Sequence, residues 1–97
     1  MDKLQSKELD RLFEAILKLE NVEECYSFFG DICTIKELSE ISQRFEVAEL
    51  LDKGGKSYAE IRNETGASTA TITRINRCLN FGNDGYKLVI ERLRNDD

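Results

Sequence analysis

The sequence predicts an all-α chain of six helices. Three observations carry that expectation. Apolar residues recur at helical spacing along most of the length, as in Leu9, Leu12, Phe13, Ile16 and Leu17. Twice a hydroxyl residue stands three positions ahead of a glutamate, at Thr34–Glu37 and Ser57–Glu60, which is the spacing of a capping box. No proline occurs, so nothing forces a break inside a helix, and glycines supply the stops.

Taken in order, the first apolar stripe predicts a helix over residues 4–19, with Asn21 marking its break. Residues 22–32 form a shorter, aromatic helix with Tyr26, Phe28 and Phe29, ending near Gly30-Asp31. Thr34 opens a long helix to about residue 53, with Leu38, Ile41, Phe45, Ala48 and Leu51 as its buried seam. Gly54-Gly55 ends it. Ser57 opens a short helix closed by Gly66, and Ser68 caps the next, over residues 69–80. Thr69, Thr71 and Thr73 alternate as in a strand, but the flanking caps and the Ile72/Ile75/Leu79 spacing favour helix. Residues 82–85 make a turn, and a last helix over 86–94 buries Leu88, Val89 and Leu93. With no repeat and no linker, residues 1–97 read as a single domain.

Composition removes whole classes of function. A chain of 97 residues buries only roughly 60–65% of its unfolded surface, so a lone monomer is marginal. No apolar run nears the ~18 residues of a membrane span. Met1-Asp2-Lys3-Leu4-Gln5 lacks the layout of a signal peptide, which predicts a cytoplasmic protein. Histidine is absent, which removes hydrolase triads, imidazole acid–base chemistry and most zinc sites. The carboxylates are scattered without a standout pair, so no enzyme is expected and no metal. Cys25, Cys33 and Cys78 are odd in number and not spaced as CxxC; they read as small apolar core residues.

The formal net charge of −5 speaks against nucleic acid until its distribution is read. Residues 1–52 carry 6 basic and 13 acidic side chains, whereas residues 53–80 carry 5 basic and 2 acidic, a net +3. Charge beyond about 10 Å is largely screened at 0.1 M salt, so this segment can meet phosphate by itself. Charge alone leaves an ordinary solvated helix face as the simpler reading.

The segment from Ser57 to Leu79 is a capped helix, a glycine turn and a second capped helix: a helix-turn-helix. Ile61, Thr65, Ala67, Ile72 and Ile75 fall where its two helices pack on each other. The second helix leads with small hydrogen-bonding residues, which suit close approach to base edges and phosphates. The same pattern also occurs in bundles that bind nothing.

Glu64-Thr65-Gly66-Ala67 and Ala70-Thr71-Ile72-Thr73-Arg74, with Arg44 and Glu49-Leu50-Leu51 upstream, resemble the Trp repressor superfamily, nearest to its members of uncharacterised ligand. The resemblance covers roughly residues 34–93, and the Ala70–Arg74 run is its specific part. It implies a six-helix Trp-repressor-like fold forming an intertwined homodimer. The first, second, third and last helices of both chains would share one core, and two helix-turn-helix heads would meet successive major grooves of double-stranded operator DNA. On this reading Lys56, Tyr58 and Arg62 approach the DNA, and Ser68, Thr69, Ala70, Thr71 and Thr73 face it. Ala59 stands where the family places a base-reading arginine, which implies a loss of about 1–3 kcal/mol of discrimination at that base.

The resemblance also implies a small-molecule effector site. Arg44 and Arg74 align with the family's two tryptophan-flanking arginines, Thr34 with a pocket-lining threonine, and Cys78 with a serine that binds the ligand's ammonium group. Ile75 replaces a glycine. A thiol is a weak partner for ammonium, and Ile75 fills space, so L-tryptophan is expected to bind weakly or not at all. No cofactor is expected. The sequence thus predicts a DNA-binding transcriptional repressor. The alternative is a helix-turn-helix module that binds proteins and no specific DNA.

Overall fold

The structure, a computed structural model, describes residues 5–96. Among them are six helices: α1 (Lys7–Ile16), α2 (Val22–Ile32), α3 (Ile35–Lys53), α4 (Tyr58–Thr65), α5 (Thr69–Phe81) and α6 (Gly85–Asn95). No strand occurs among the described residues. Side-chain caps set most of the starts. Ser6 accepts the Leu9 amide, Asn21 the Glu24 amide, Ser57 the Glu60 amide and Ser68 the Thr71 amide. Asn21 is therefore a helix start rather than merely a break. The first helix is shorter than its apolar stripe suggests: Ser6 begins it, and Lys18 and Leu19 close it with tighter turns onto Ala15 and Ile16. The expected start at Leu4 lies outside the described residues.

Internal contacts sort the chain into two compact units, divided within α3 between Leu38 and Ser39. The first unit holds α1, α2 and the opening turn of α3. Phe28 and Phe29 meet edge to face in α2, with ring centroids 5.4 Å apart. None of its described side chains is fully buried; Leu9, Leu12, Ile16 and Cys25 are half-covered, while Leu17 and Tyr26 are 82% and 78% exposed.

The second unit has a true core. Val47 and Ala48 of α3, Ile61 of α4, Ala67 of the turn, Ile72 and Ile75 of α5 and Ile90 of α6 form one aliphatic cluster. Phe45, Leu50, Leu51, Tyr58 and Tyr86 pack on its edge. The expected packing set of the helix-turn-helix is found, with Thr65 half-buried and the other four buried. Two expected seams differ. In α3, Ile41 is exposed and Val47 is buried, because the core touches only one side of the C-terminal half of this helix. In α6, Leu88, Val89 and Leu93 are nearly half exposed, and Ile90 alone enters the core. Nor are the cysteines core residues: Cys25 and Cys33 are half-covered, and Cys78 is exposed.

Glycine is geometrically required at the helix-turn-helix corner and at the end of α5, at Gly66 and Gly82. Gly66 ends α4 at φ 78°, in the left-handed region, and its amide donates to the Arg62 carbonyl. Gly82 ends α5 in such close approach that a Cβ there would lie 2.3 Å from the Cys78 carbonyl oxygen. Gly85, three residues on, has open space around it. Gly82→Ala should therefore destabilise the fold by about 2 kcal/mol or more, while Gly85→Ala should change it by less than about 1 kcal/mol. Thermal unfolding of the two variants checks the difference.

Candidate nucleic-acid interface

The helix-turn-helix is built by local hydrogen bonds that leave its outer face free. In the capping box of α4, Ser57 Oγ accepts the Glu60 amide at 3.1 Å, and Glu60 Oε1 accepts the Ser57 amide at 3.0 Å. These two bonds, the backbone one foremost, hold the Glu60 carboxyl below its ordinary pKa. Thr34 and Glu37 repeat the arrangement at the start of α3, with the same effect on Glu37.

At the other end of α4, Thr65 Oγ1 donates to the Ile61 carbonyl at 2.8 Å and accepts the Ala67 amide at 3.1 Å. The Thr65 carbonyl accepts from Gln43 Nε2 of α3 at 3.0 Å. Every polar group of Thr65 that faces inward is thus engaged before the chain reverses at Gly66. Ser68 then caps α5: its Oγ accepts the Thr71 amide at 3.1 Å and donates to Thr71 Oγ1 at 3.0 Å. The amides of Thr69 and Ala70 are left as the open donors of the first turn.

The residues singled out in the sequence fall into three groups. Thr69, Ala70 and Thr73 are exposed on the leading turns of α5, and Arg62 is exposed on α4. Among the described residues Arg62, Arg74 and Arg77 take part in no ion pair. A second group is partly committed inside the chain. Ser68 and Thr71 spend hydroxyls on the cap. Tyr58 is half-buried against the core cluster. Lys56 is ion-paired with Glu64 at the far end of α4. Such a surface pair contributes only about 0–1 kcal/mol, so a phosphate can compete for Lys56.

The third group is the effector set, whose members differ in exposure and surroundings. Arg44 is half-buried on α3, whereas Arg74 is exposed on α5. Thr34 belongs to the first unit and serves as the cap of α3. Cys78 borders a shallow apolar pocket of about 370 Å³ with Gly82, Asn83, Gly85 and Tyr86. A larger groove of about 640 Å³ runs along α3 and α6 and is lined by Glu46, Glu49, Asp52, Lys53 and Arg94 among others, with Arg94 bonded to Asp52 at 2.7 Å. Ile75 is 3% exposed and belongs to the core cluster.

Sequence reasoning missed Gln43 and Glu64. Gln43 sits 22 residues from its partner, on a polar position of a helix, where no local rule speaks. Glu64 lies eight positions from Lys56, which precedes the cap of α4, outside the i+3 and i+4 spacings that link opposite charges.

Residues 7–94 match the Trp repressor protein family. The uncharacterized protein YerC of Bacillus subtilis is 54% identical over 94 residues, covering 97% of this chain and 89% of YerC. A TrpR-like protein from Eubacterium eligens has a solved structure that superposes with a TM-score of 0.90 at 53% identity, covering 96% of this chain and 95% of that one. A solved chain from Staphylococcus aureus superposes at 0.89 with 52% identity, covering 96% and 92%. The fold is that of the Trp-repressor-like proteins.

Proposed function

The chain belongs to the Trp repressor family, and from that premise we propose that it is a cytoplasmic, homodimeric transcriptional repressor that reads double-stranded DNA with α5. The family is regulatory, not enzymatic. The observation that supports DNA binding best is the head of α5. There Thr69, Ala70 and Thr73 are exposed together, two amides are open, and Arg62 and Arg74 stand free of ion pairs among the described residues. This face belongs to the one segment of the sequence with net positive charge. A helix N-terminus with small side chains admits base edges, while the arginines neutralise phosphate.

The dimer is supported by what the single chain leaves uncovered. The first unit has no fully buried side chain among its described residues, and Leu17, Tyr26 and Ile35 are 82%, 78% and 88% exposed. A second copy supplies the missing apolar partner, and with it a two-headed protein for a near-palindromic operator.

The effector clasp of Arg44 and Arg74 takes no tryptophan on this reading. Ile75 lies in the same aliphatic cluster as Val47 and Ala48 of α3. A glycine there would leave space between α3 and α5 for an indole ring; isoleucine fills it. The protein then binds its operator without a corepressor, or with a smaller anion at the arginines.

Arg62→Ala should weaken binding to all duplexes and reduce the salt slope by about one. Lys56→Ala should do less, because that ammonium already has Glu64. Ala70→Glu should abolish retention of the best site. Filter binding or anisotropy over a salt series measures all three. Retention that ignores salt, and ignores Ala70→Glu, would favour the protein-interaction module instead.

Assembly is checked by sedimentation equilibrium and by thermal unfolding at several protein concentrations. The melting temperature should rise with concentration, and a stable folded monomer at micromolar concentration would refute the dimer.

Isothermal calorimetry with L-tryptophan should give no micromolar binding. A micromolar heat, accompanied by tighter DNA binding, would show that Ile75 and Cys78 leave the site open.

A further inference from the structure

We infer that Gln43 is the positioning residue that holds the reading helix in register against α3. The inference rests on the reading that α5 meets DNA, and it names the side chain that sets the pose of that helix. The apolar contribution of α3 is Val47 and Ala48 inside the cluster, with Phe45, Leu50 and Leu51 packed on its edge. Such a contact is non-directional, and aliphatic ridges tolerate roughly 15–20° of scatter in crossing angle. Burial therefore keeps the motif on α3 and leaves that range of rotation to be narrowed by a directional contact.

A directional bond makes that choice. Gln43 Nε2 donates to the Thr65 carbonyl at 3.0 Å. Among the described residues it is the one hydrogen bond from an α3 side chain into the helix-turn-helix. Its place is telling. Thr65 is the last residue of α4, and its carbonyl is one of the C-terminal acceptors that the helix cannot satisfy. Gly66 reverses the chain immediately afterwards, Ala67 is buried next, and Ser68 caps α5. Gln43 thus grips the backbone three residues before the cap of α5. The remaining groups of the corner are tied locally, through Thr65 Oγ1 to Ile61 and Ala67 and through the Gly66 amide to Arg62. A corner that is stiff in itself, packed through Ala67 and tied to α3 by one directional bond, transmits its orientation to Thr69, Ala70 and Thr73. Hydrogen bonds to base edges weaken over a few tenths of an ångström, so that orientation governs specific contacts. Phosphate attraction, which varies slowly with distance, does not depend on it in the same way.

The test compares Gln43→Met, which keeps length and packing but removes the donor, with Gln43→Glu, which places a carboxylate oxygen against the Thr65 carbonyl. Specific affinity is measured on the best duplex selected from a random pool, and non-specific affinity on a scrambled duplex, both over a salt series. Gln43→Met should weaken specific binding about 5- to 10-fold, the size of one net hydrogen bond, and Gln43→Glu should weaken it further. The scrambled duplex and the salt slope should stay as in the wild type, which a general loss of folded protein would not produce. Equal loss on both duplexes, or unchanged specific binding in both variants, overturns the inference. If the wild type shows no salt-dependent duplex binding, the DNA reading itself fails. Amide hydrogen exchange then decides on Gln43: faster exchange at Gly66 and Ala67 relative to α6 supports its grip on the corner, and unchanged exchange removes it. If Gln43→Met loses its cooperative melt, Gln43→Glu carries the same comparisons.

Discussion

Seven aliphatic side chains drawn from four helices and one turn are the contact against which every other part of residues 39–96 is placed. Each helix contributes only one or two of them. Ile61 and Ala67 fasten α4 and the turn, Ile72 and Ile75 fasten α5, Val47 and Ala48 offer the surface of α3, and Ile90 brings in α6. Full burial of an isoleucine contributes about 1.5–3 kcal/mol, so each helix is held by a small number of apolar side chains. The caps and the single-residue turns matter more in such a structure than in a large core. Without Ser57, Gly66 and Ser68 to set the ends of α4 and α5, the cluster would have no defined elements to join.

The same economy shapes the outer face. Because Ile72, Ile75 and Leu79 turn inward, the residues between them must turn outward, and Thr73, Arg74 and Arg77 become solvent-facing by helical geometry alone. The basic segment is a consequence of which face α5 buries. Its charge is local in effect: the acidic excess of residues 1–52 does not cancel it beyond about a Debye length. Within the segment the cations are not equivalent. Lys56 is bound to Glu64, whereas Arg62, Arg74 and Arg77 are not engaged in ion pairs among the described residues. The arginine guanidinium is also the better matched group for phosphate, with a planar fork of donors.

Apolar surface left uncovered is the other constraint. Leu88, Val89 and Leu93 lie nearly half open on α6, and Leu17, Tyr26 and Ile35 are open in the first unit. Large contiguous apolar patches are uncommon on monomers and mark interaction surfaces. Periodicity identified Leu17, Leu88, Val89 and Leu93 as seam residues and could not say whose side chain covers them. A stripe at i, i+3, i+4 reports that a face is to be buried, and it carries no address for the partner.

The sequence by itself determined the six helices, their caps and the order of the helix-turn-helix, because these depend on neighbours within four residues. Thr34–Glu37 and Ser57–Glu60 are legible as capping boxes, Gly66 as a left-handed stop, and Ile72/Ile75/Leu79 as an inward face, each from short-range chemistry. The resemblance carried by Ala70–Arg74 pointed to the family that the comparisons then showed. Packing between helices selects Val47 over Ile41 to join Ala48 in the core, and Ile90 over Leu88 in α6. Each pair fits a helical stripe, and the choice depends on which way the neighbouring helix lies. The tertiary structure likewise decided that Cys78 is exposed, that Lys56 is engaged by Glu64, and that Gln43 reaches the Thr65 carbonyl. The two contacts join positions eight and twenty-two residues apart. Helical periodicity links neighbours three and four residues apart, so only the folded arrangement brings such partners together.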